Sequence, residues 1–552
     1  MATNDVIDTP RPTASRQAGL LDRERTIADH RFNRWLLPPA ALAVHLSIGM
    51  AYGFSVFWLP LSRAIGIDAP LTCDGIGFFE RIVSTRCDWP VSMLGWTYTL
   101  FFVFLGSSAA LFGHWLERAG PRKAGFVAAL CWCGGLLVSA FGIYTHQIWL
   151  MWLGSGVIGG IGLGLGYISP VSTLIKWFPD HRGVATGLAI MGFGGGAMIG
   201  APLADRLMNA FASDTSVGVW QTFVVMSAIY FVAMMAGAFG YRLPPKDWQP
   251  AFTAKQKPKT LVTTAHVHVN EALRTPQFWL LWGVLCLNVS AGIGVIGMAS
   301  PMLQEVFGGQ LIGVPQALSQ LTAEQRAQVA TIGAAFAGLL SLFNIAGRIG
   351  WASASDALGR KLTYTIFFLL GFMLYMAAPV AGEAARSAVF VAIFCAILTM
   401  YGGGFATIPA YLADLFGTQH VGAIHGRLLT AWSVAGILGP VVVNYIREFQ
   451  LGRGVPAHDA YNVTMYVLAG MLVLGLVCNL LIRPVDARHH MSEEQIAIEG
   501  ALGHAQASAN PVRPENRVVP HRALLLAAWI AIAIPLTWGV WVTLSKSAVL
   551  FS

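Results

Sequence analysis

Two loop sequences decide the fold: GHWLERAGPRK at residues 113–123 and ASASDALGRK at residues 352–361. In each loop an acidic residue, Glu117 or Asp356, precedes a glycine by three positions, and a basic pair follows that glycine. Each loop comes directly after the second apolar segment in a series of six. The same motif at equivalent places predicts two related six-helix halves, an architecture typical of transporters.

The composition indicates a membrane protein. Hydrophobic residues make up 55% of the 552 residues and charged residues only 11%, whereas a soluble domain carries roughly 25% charged residues. The mean hydropathy is +0.60. The net charge of +8 comes from short clusters of basic residues between apolar segments, with no basic helix, so nucleic acid is not an expected partner. Membrane lipid is an expected partner.

A membrane helix needs about 20 apolar residues, and the apolar segments predict twelve such helices plus a thirteenth near the C-terminus. The alternative for the thirteenth is a peripheral helix lying on the membrane. The predicted organisation is an N-terminal tail (1–34), a six-helix half (35–242), a linker (243–276), a second six-helix half (277–483), a polar tail (484–521) and the further helix (522–545).

Basic residues indicate the orientation. They concentrate in the loops before the odd-numbered helices of the twelve-helix body, which places these loops, the N-terminal tail and the linker in the cytoplasm. The expected location is a bacterial cytoplasmic membrane. The first apolar segment is too long for a signal peptide and lacks a small-residue cleavage site.

The two loops resemble the G-x-x-x-D-R-x-G-R-K loop of the major facilitator superfamily. The first copy has Glu117 in place of the Asp, and the second has Ala352 in place of the leading Gly. We expect Gly113 to allow close approach of helices. The acids should contact a helix N-terminus or nearby cations such as Arg118 and Arg360, in bonds that differ between conformations.

Further strings resemble one branch of that superfamily, the oxalate:formate antiporter family, which is related to the monocarboxylate transporters. They are GLGLGY at 162–167, KWFPDHRG at 176–183, GFGGGA at 192–197, RTPQFW at 274–279 and NIAGR at 344–348. The resemblance covers residues 33 to 484. It implies a membrane transporter of small carboxylates that needs no cofactor and for which a monomer suffices.

Arg348 is the sharpest candidate for a binding residue. It precedes Asp356 by eight residues, which places it ~12 Å inside the cytoplasmic edge of its helix at ~1.5 Å per residue. A charge at that depth is costly unless it faces a cavity or a partner. The alternative is an arginine that extends to the cytoplasmic membrane surface or forms a structural pair. Asn344 lies one turn away on the same face. The resemblance implies that Arg348 is the counter-ion of the substrate.

The family resemblance also suggests other site residues. Aromatic positions that match it are Tyr52, Tyr167, Tyr401 and Phe405, and His45 lies two turns before Tyr52. Each of these residues alone is more often a packing residue, and His45 could be a structural hydrogen-bond donor. Asn288 is a weaker candidate. Where oxalate carriers of the family have Thr-Ala-Lys, residues 430–432 read Thr-Ala-Trp, so Trp432 replaces a second cation. This favours a monocarboxylate over oxalate.

Cysteines suggest one structural bond. Five of the seven lie in apolar segments, whereas Cys73 and Cys87 share a polar loop after the first helix. If that loop faces an oxidising compartment, the pair should form a disulfide. The alternative is two free thiols.

Other functional classes lack the residues they need. No Walker lysine follows the glycine-rich strings, no Cys/His cluster has zinc spacing, and no catalytic triad can be read. Close packing of helices therefore explains the glycines better than nucleotide binding, and neither an enzyme nor a metal site is expected. A non-transporting receptor of the same fold remains an alternative. The sequence leaves exchange and H⁺ symport equally open.

Overall fold

The computed structural model describes residues 19–67, 70–73, 75, 77–178, 182–245, 248, 263, 265–417, 420–496 and 522–551. Parts of the predicted N-terminal tail (1–34), linker (243–276) and polar tail (484–521) therefore lie outside the described residues.

Thirteen long helices, α1 to α13, follow one another along the described residues. In chain order they are Arg34–Leu61, Val91–Ala119, Pro121–Tyr144, 148–177, Arg182–Phe211, Val219–Gly240, Pro276–Phe307, Ala323–Leu358, Arg360–Glu383, Ser387–Phe416, Val421–Gly452, Asn462–Leu481 and Arg522–Ser547. Among the described residues, 12 helices are long and apolar enough to cross a membrane, and the C-terminal helix is one of them. The 30-residue helix Arg182–Phe211 stands in the fifth position between them. The predicted all-α fold with a thirteenth helix is confirmed.

The two halves repeat the same packing. In the first half α1 packs against α5 and α6, and α2 packs against α4. In the second half α7 packs against α11 and α12, and α8 packs against α10. Adding six to both helix numbers of a contact in the first half thus gives the equivalent contact in the second half. The halves meet along two seams, α2 with α11 and α5 with α8, which are equivalent to each other under the same rule.

Two of the helices are locally irregular. The middle of α1, Gly49–Phe57, is a 3₁₀ helix, and Trp152–Gly159 in α4 is a π-helix. Such segments often mark functional hinges or sites. The 3₁₀ segment of α1 carries Tyr52, and a Cβ on Gly49 would collide with the main chain of Phe193 in α5. The irregularity therefore lies where α1 and α5 approach each other most closely.

Glycines bring the helices together, as predicted. A Cβ on Gly162 would lie 2.5 Å from the Trp132 nitrogen, and one on Gly135 would lie 2.5 Å from the Gly154 carbonyl. In both cases the neighbour is main chain, which cannot move aside, so only glycine fits at these crossings.

Each half pairs its own two chain ends. Before α1, Ala28 donates to the Leu243 carbonyl (2.8 Å), and Leu243 donates to the Thr26 carbonyl (2.8 Å). Before α7, His266 accepts from the Met491 nitrogen (2.8 Å). We call these contacts the end pairings. They lie on the side of the molecule that holds the linker, here the linker face; the opposite side, where α1 ends and α2 begins, is the far face.

Candidate functional site

Arg348 lies at the centre of the molecule, between the two halves. It stands ten residues before the end of α8 at Leu358, ~15 Å along the helix at ~1.5 Å per residue, and its side chain is 0% exposed. Its Nε donates to Asn344 Oδ1 (3.0 Å), and its Nη1 donates to the Ile190 carbonyl of α5 (2.9 Å). Arg348 therefore does not extend to the membrane surface; it bridges the halves.

Within the part of the chain that the structure describes, the charge of Arg348 has no carboxylate partner. It donates to the neutral oxygens of Asn344 and Ile190, and no ion pair among the described residues involves it. Arg447, in contrast, forms a two-pronged ion pair with Glu305 near the far face. A buried cation without an anion is unfavourable, and a small carboxylate matches the planar fork of an arginine.

Four buried donors around Arg348 lack hydrogen-bond partners within the part of the chain that the structure describes. They are Arg348 Nη2, Asn344 Nδ2, Tyr167 Oη and Trp432 Nε1. Buried polar atoms are satisfied in more than about 90% of cases, so a group of unsatisfied ones calls for an explanation. Each can donate to an anionic oxygen, and a bound anion would satisfy them together.

Aromatic rings enclose these donors. Trp432 lies 4.3 Å from Phe405 and 5.3 Å from Tyr167, measured between ring centroids, and the Arg348 guanidinium lies 5.5 Å from the Phe405 ring. Tyr52 and Tyr401 join α1 to α10 through a 2.7 Å hydrogen bond between their hydroxyls. We call the whole set the aromatic box: Tyr52, Phe102, Tyr167, Phe193, Tyr401, Phe405 and Trp432.

The predicted residues thus gather in one place, with His45 one step away. His45 is buried, its Nε2 lies 3.2 Å from the Tyr167 carbonyl, and its ring stacks on that of Tyr167 at 5.5 Å. This position behind Tyr167 suits a residue that orients the tyrosine. Asn288 also points inward: its amide is what a Cβ on Gly404 would meet, at 2.5 Å, and its Nδ2 has no described partner.

Sequence reasoning missed Phe102, Phe193 and Ile190. Phe193 sits between two of the glycines quoted above, and its ring lies 4.9 Å from Tyr52 and 5.5 Å from Trp432. Phe102 lies 5.6 Å from Trp432. Phenylalanine is common throughout the chain, and a main-chain acceptor such as Ile190 leaves no mark in the sequence. Only the neighbouring glycines signalled that α5 contacts the site.

The site is closed in this conformation. The cavity beside it, lined by Tyr52, Ser341 and Asn344 among others, measures about 10 Å³, which holds about one water molecule. On the far side of Tyr52 the halves are joined by Trp58 Nε1 donating to the Gly297 carbonyl (2.9 Å) and by Trp96 Nε1 donating to Tyr445 Oη (3.1 Å). From the far face, a carboxylate can enter only if the halves separate.

The two motif loops lie on the linker face and differ in what they contact. Asp356 forms an ion pair with Arg360 (2.5 Å), and Arg360 lies 3.5 Å from Asp414 at the end of α10. The side chain of Glu117 lies outside the described residues, and Arg118 is exposed on the last turn of α2. The expectation for Gly113 was wrong: a Cβ there would meet no atom within 4 Å, because the residue faces open space.

The far-face loop after α1 contains a disulfide between Cys73 and Cys87, with a Cα–Cα distance of 5.7 Å. Asp88, beside it, accepts from the nitrogens of Ile65 (2.8 Å), Gly66 (2.9 Å) and Leu71 (2.9 Å). The loop is fastened to the next far-face loop, because His146 Nε2 contacts the Cys87 carbonyl (2.8 Å). The His146 ring also stacks on Trp89 at 4.0 Å.

Comparison with known proteins agrees with this architecture. The family model described as Major Facilitator Superfamily matches residues 41–440 and again residues 311–551. The oxalate:formate antiporter of Oxalobacter formigenes is 24% identical over 477 residues, covering 84% of this chain and 96% of that protein.

Two further relatives differ in what is known of them. The uncharacterized MFS-type transporter YhjX of Escherichia coli is 22% identical over 415 residues, covering 75% of this chain and 88% of that protein. Apicoplast pyruvate carrier 1 of Toxoplasma gondii is 25% identical over 414 residues, covering 66% of this chain and 71% of that protein. The relatives are transporters, at low identity.

Proposed function

Because the chain belongs to the major facilitator superfamily, and is therefore a multi-pass membrane transporter, we propose that it carries small organic carboxylates by alternating access. The two halves, residues 35–242 and 277–483, rock about the central site and expose it to one side of the membrane at a time. The carried ion is formate, lactate, pyruvate or a similar monocarboxylate, and a monomer suffices.

One observation carries the proposal: Arg348 is buried with no carboxylate partner among the described residues, and its Nη2 is one of four donors that lack a described partner. An anionic substrate supplies what these groups lack. Two carboxylate oxygens can accept from the guanidinium fork and from Tyr167 or Asn344. The names of the oxalate:formate antiporter and the pyruvate carrier support the same class of substrate.

The preference for a single carboxylate rests on Trp432. One cation neutralises one carboxylate, and the aromatic box contributes no second cation. A dianion such as oxalate would bring an uncompensated charge into a buried site, which is unfavourable. The indole of Trp432 instead offers one neutral donor and an apolar wall.

The membrane orientation is part of the proposal. The basic clusters place the linker face in the cytoplasm and the far face outside, and bacterial relatives support a bacterial cytoplasmic membrane. The motif loops then lie on the cytoplasmic side, where Arg360 contacts Asp356 and Asp414 within the second half.

The test is uptake into proteoliposomes of labelled formate, lactate, pyruvate and oxalate, with and without internal counter-substrate and a pH gradient. Saturable uptake of a monocarboxylate is the expected result. Stimulation by internal carboxylate indicates exchange, and stimulation by an inward H⁺ gradient indicates symport. Binding of a carboxylate without any transport would instead support a receptor with the same fold.

A further inference from the structure

The thirteenth helix lies across the seam between the halves. Near the linker face, Trp529 Nε1 donates to the Trp35 carbonyl at the start of α1 (3.2 Å). Toward the far face the helix packs in the seam between α5 and α8, one from each half. Its other surface faces outward, where Ile534 and Trp541 are among the exposed large apolar side chains.

Three contacts hold the C-terminal turns of α13 to the first half. Thr543 Oγ1 donates to the Met198 carbonyl (3.4 Å). Gly539 lies so close to α5 that a Cβ there would be 2.9 Å from Ile199 Cγ1 and 3.0 Å from the Met198 oxygen. The Arg206 guanidinium stacks on Trp538 at 5.1 Å, a cation–π contact that also belongs to α5.

Equivalent contacts hold the same turns of α13 to the second half. Ser547 Oγ donates to the Ala335 carbonyl of α8 (3.3 Å). A Cβ on Gly338 would lie 2.6 Å from Thr543 Oγ1. Beyond the end of the helix, the Leu550 carbonyl accepts from Ser387 Oγ at the start of α10 (3.3 Å). Thr543 is therefore fitted between α5 and α8 at once.

The seam under these turns contains its own bond between the halves. Thr331 Oγ1 of α8 donates to Asp205 Oδ2 of α5 (3.1 Å), and the positive charges of Lys546 on α13 and Arg206 on α5 act on the same carboxylate. Opening of the far face separates α5 from α8 at this level. Because α13 contacts both α5 and α8, it cannot move with both helices when they separate. Its contacts with one half must therefore break.

From this placement we propose that α13 is a strap that stabilises conformations closed at the far face, so that it lowers the population of far-open protein. The proposal rests on the rocking movement of the proposed function but not on the identity of the substrate. Contacts that form in only one of two conformations shift the equilibrium toward that conformation, by the free energy that they contribute there. The contacts with both halves are available only while the seam is closed.

The probe is a cysteine at position 55, introduced as Ser55→Cys in the full-length protein in lipid nanodiscs without substrate. Ser55 is 1% exposed and lies where α1 of the first half meets α7 of the second, and its Oγ accepts from the Ser300 nitrogen (3.5 Å). A water-soluble maleimide reaches it when the far face opens. The same protein without Ser55→Cys gives the background from the native cysteines.

Gly539→Val is the first test variant, because the added side chain displaces α13 from α5. Its matched control is Gly470→Val on α12, where a Cβ would meet no atom within 4 Å. The second test variant is Thr543→Val with Ser547→Ala, which keeps the shapes and removes the two hydrogen bonds even if Gly539→Val does not fold. We expect labelling of Cys at position 55 to be about three- to tenfold faster in the test variants and unchanged in the control.

Unchanged or slower labelling in both test variants would overturn the strap. Carboxylate uptake by the same proteins is measured in parallel. If the wild type takes up no carboxylate but the labelling rates still differ between the variants, the proposed function is refuted and the strap is supported.

Discussion

The Nη1 of Arg348 donates to the Ile190 carbonyl across the interface between the halves, at 2.9 Å. The cation of the proposed site therefore belongs to α8 but is positioned by the main chain of α5. A substrate that competes for the guanidinium acts on a bond between the halves, which gives it a direct effect on the movement that carries it.

Replacing Arg348 with Gln should abolish carboxylate uptake, because the variant loses the counter-ion of a desolvated anion. Lysine should rescue poorly, since a point charge lacks the planar fork. Uptake into proteoliposomes is the measurement. The control is Arg453→Gln, which removes an exposed arginine at the end of α11. Wild-type uptake by a correctly inserted Arg348→Gln protein would contradict the site.

Replacing Trp432 with Lys should raise the ratio of oxalate to formate uptake, because a second cation can neutralise a second carboxylate. Trp432→Leu is the matched control: it removes the ring, which contacts Phe405 at 4.3 Å, without adding charge. If both variants raise the ratio equally, loss of the indole and not the added charge is responsible. An unchanged ratio in a correctly inserted Trp432→Lys protein would mean that other groups set the substrate valence.

The hydroxyls of Tyr52 and Tyr401 should show a favourable coupling of about 1 kcal/mol in a double-mutant cycle with Tyr52→Phe and Tyr401→Phe. Each single change leaves the remaining hydroxyl of a 2.7 Å bond buried without its partner, whereas the double change removes both. Thermal unfolding of the four proteins gives the coupling. Strict additivity would mean that the bond contributes nothing to stability.

The Cys73–Cys87 bridge should stabilise the far-face loop, by ~3 kcal/mol on the chain-entropy model for a loop of about 15 residues. An impermeant thiol reagent applied to intact cells should label neither cysteine before reduction and both after it. Labelling without reductant would rule the bridge out. No labelling even after reduction would count against the outside placement of the loop.

Docking of the same loop should weaken in acid. Burial lowers the pKa of His146 below its usual value, which is about 6.5, so His146 binds a proton more readily when the Cys73–Cys87 loop is undocked than when it is docked. The stabilisation by neutral His146 is thus complete above pH ~6.5 and is lost as the pH falls through the lower folded-state pKa.

Hydrogen exchange of residues 77–90 as a function of pH measures this effect. His146→Gln should remove the pH dependence. His458→Gln, which changes an exposed histidine in another far-face loop, should retain it. The same pH profile in all three proteins would show that another group is responsible.

The sequence predicted the helices far better than the details of the site. Long apolar segments and a loop repeat leave few alternatives, so α1 to α13 lie where expected. Arg348 and Asn344 could be found because a charge inside an apolar helix is rare. The contacts that join the halves at the site could not be found from the sequence. The Ile190 carbonyl lies 158 residues from Arg348, and nothing in either residue identifies the other as its partner. Gly113 shows the opposite error: the motif predicted that this residue packs against another helix, and the structure shows no such contact.

The end pairings have an evolutionary consequence. Because Leu243 bonds beside Thr26 and Met491 bonds beside His266, the chain enters and leaves each six-helix half at neighbouring points on one face. Such a unit can be duplicated and fused head to tail through a single connecting peptide, without rearranging the helices of either copy. One in-frame duplication of a gene for one half is therefore sufficient to produce the two-half arrangement.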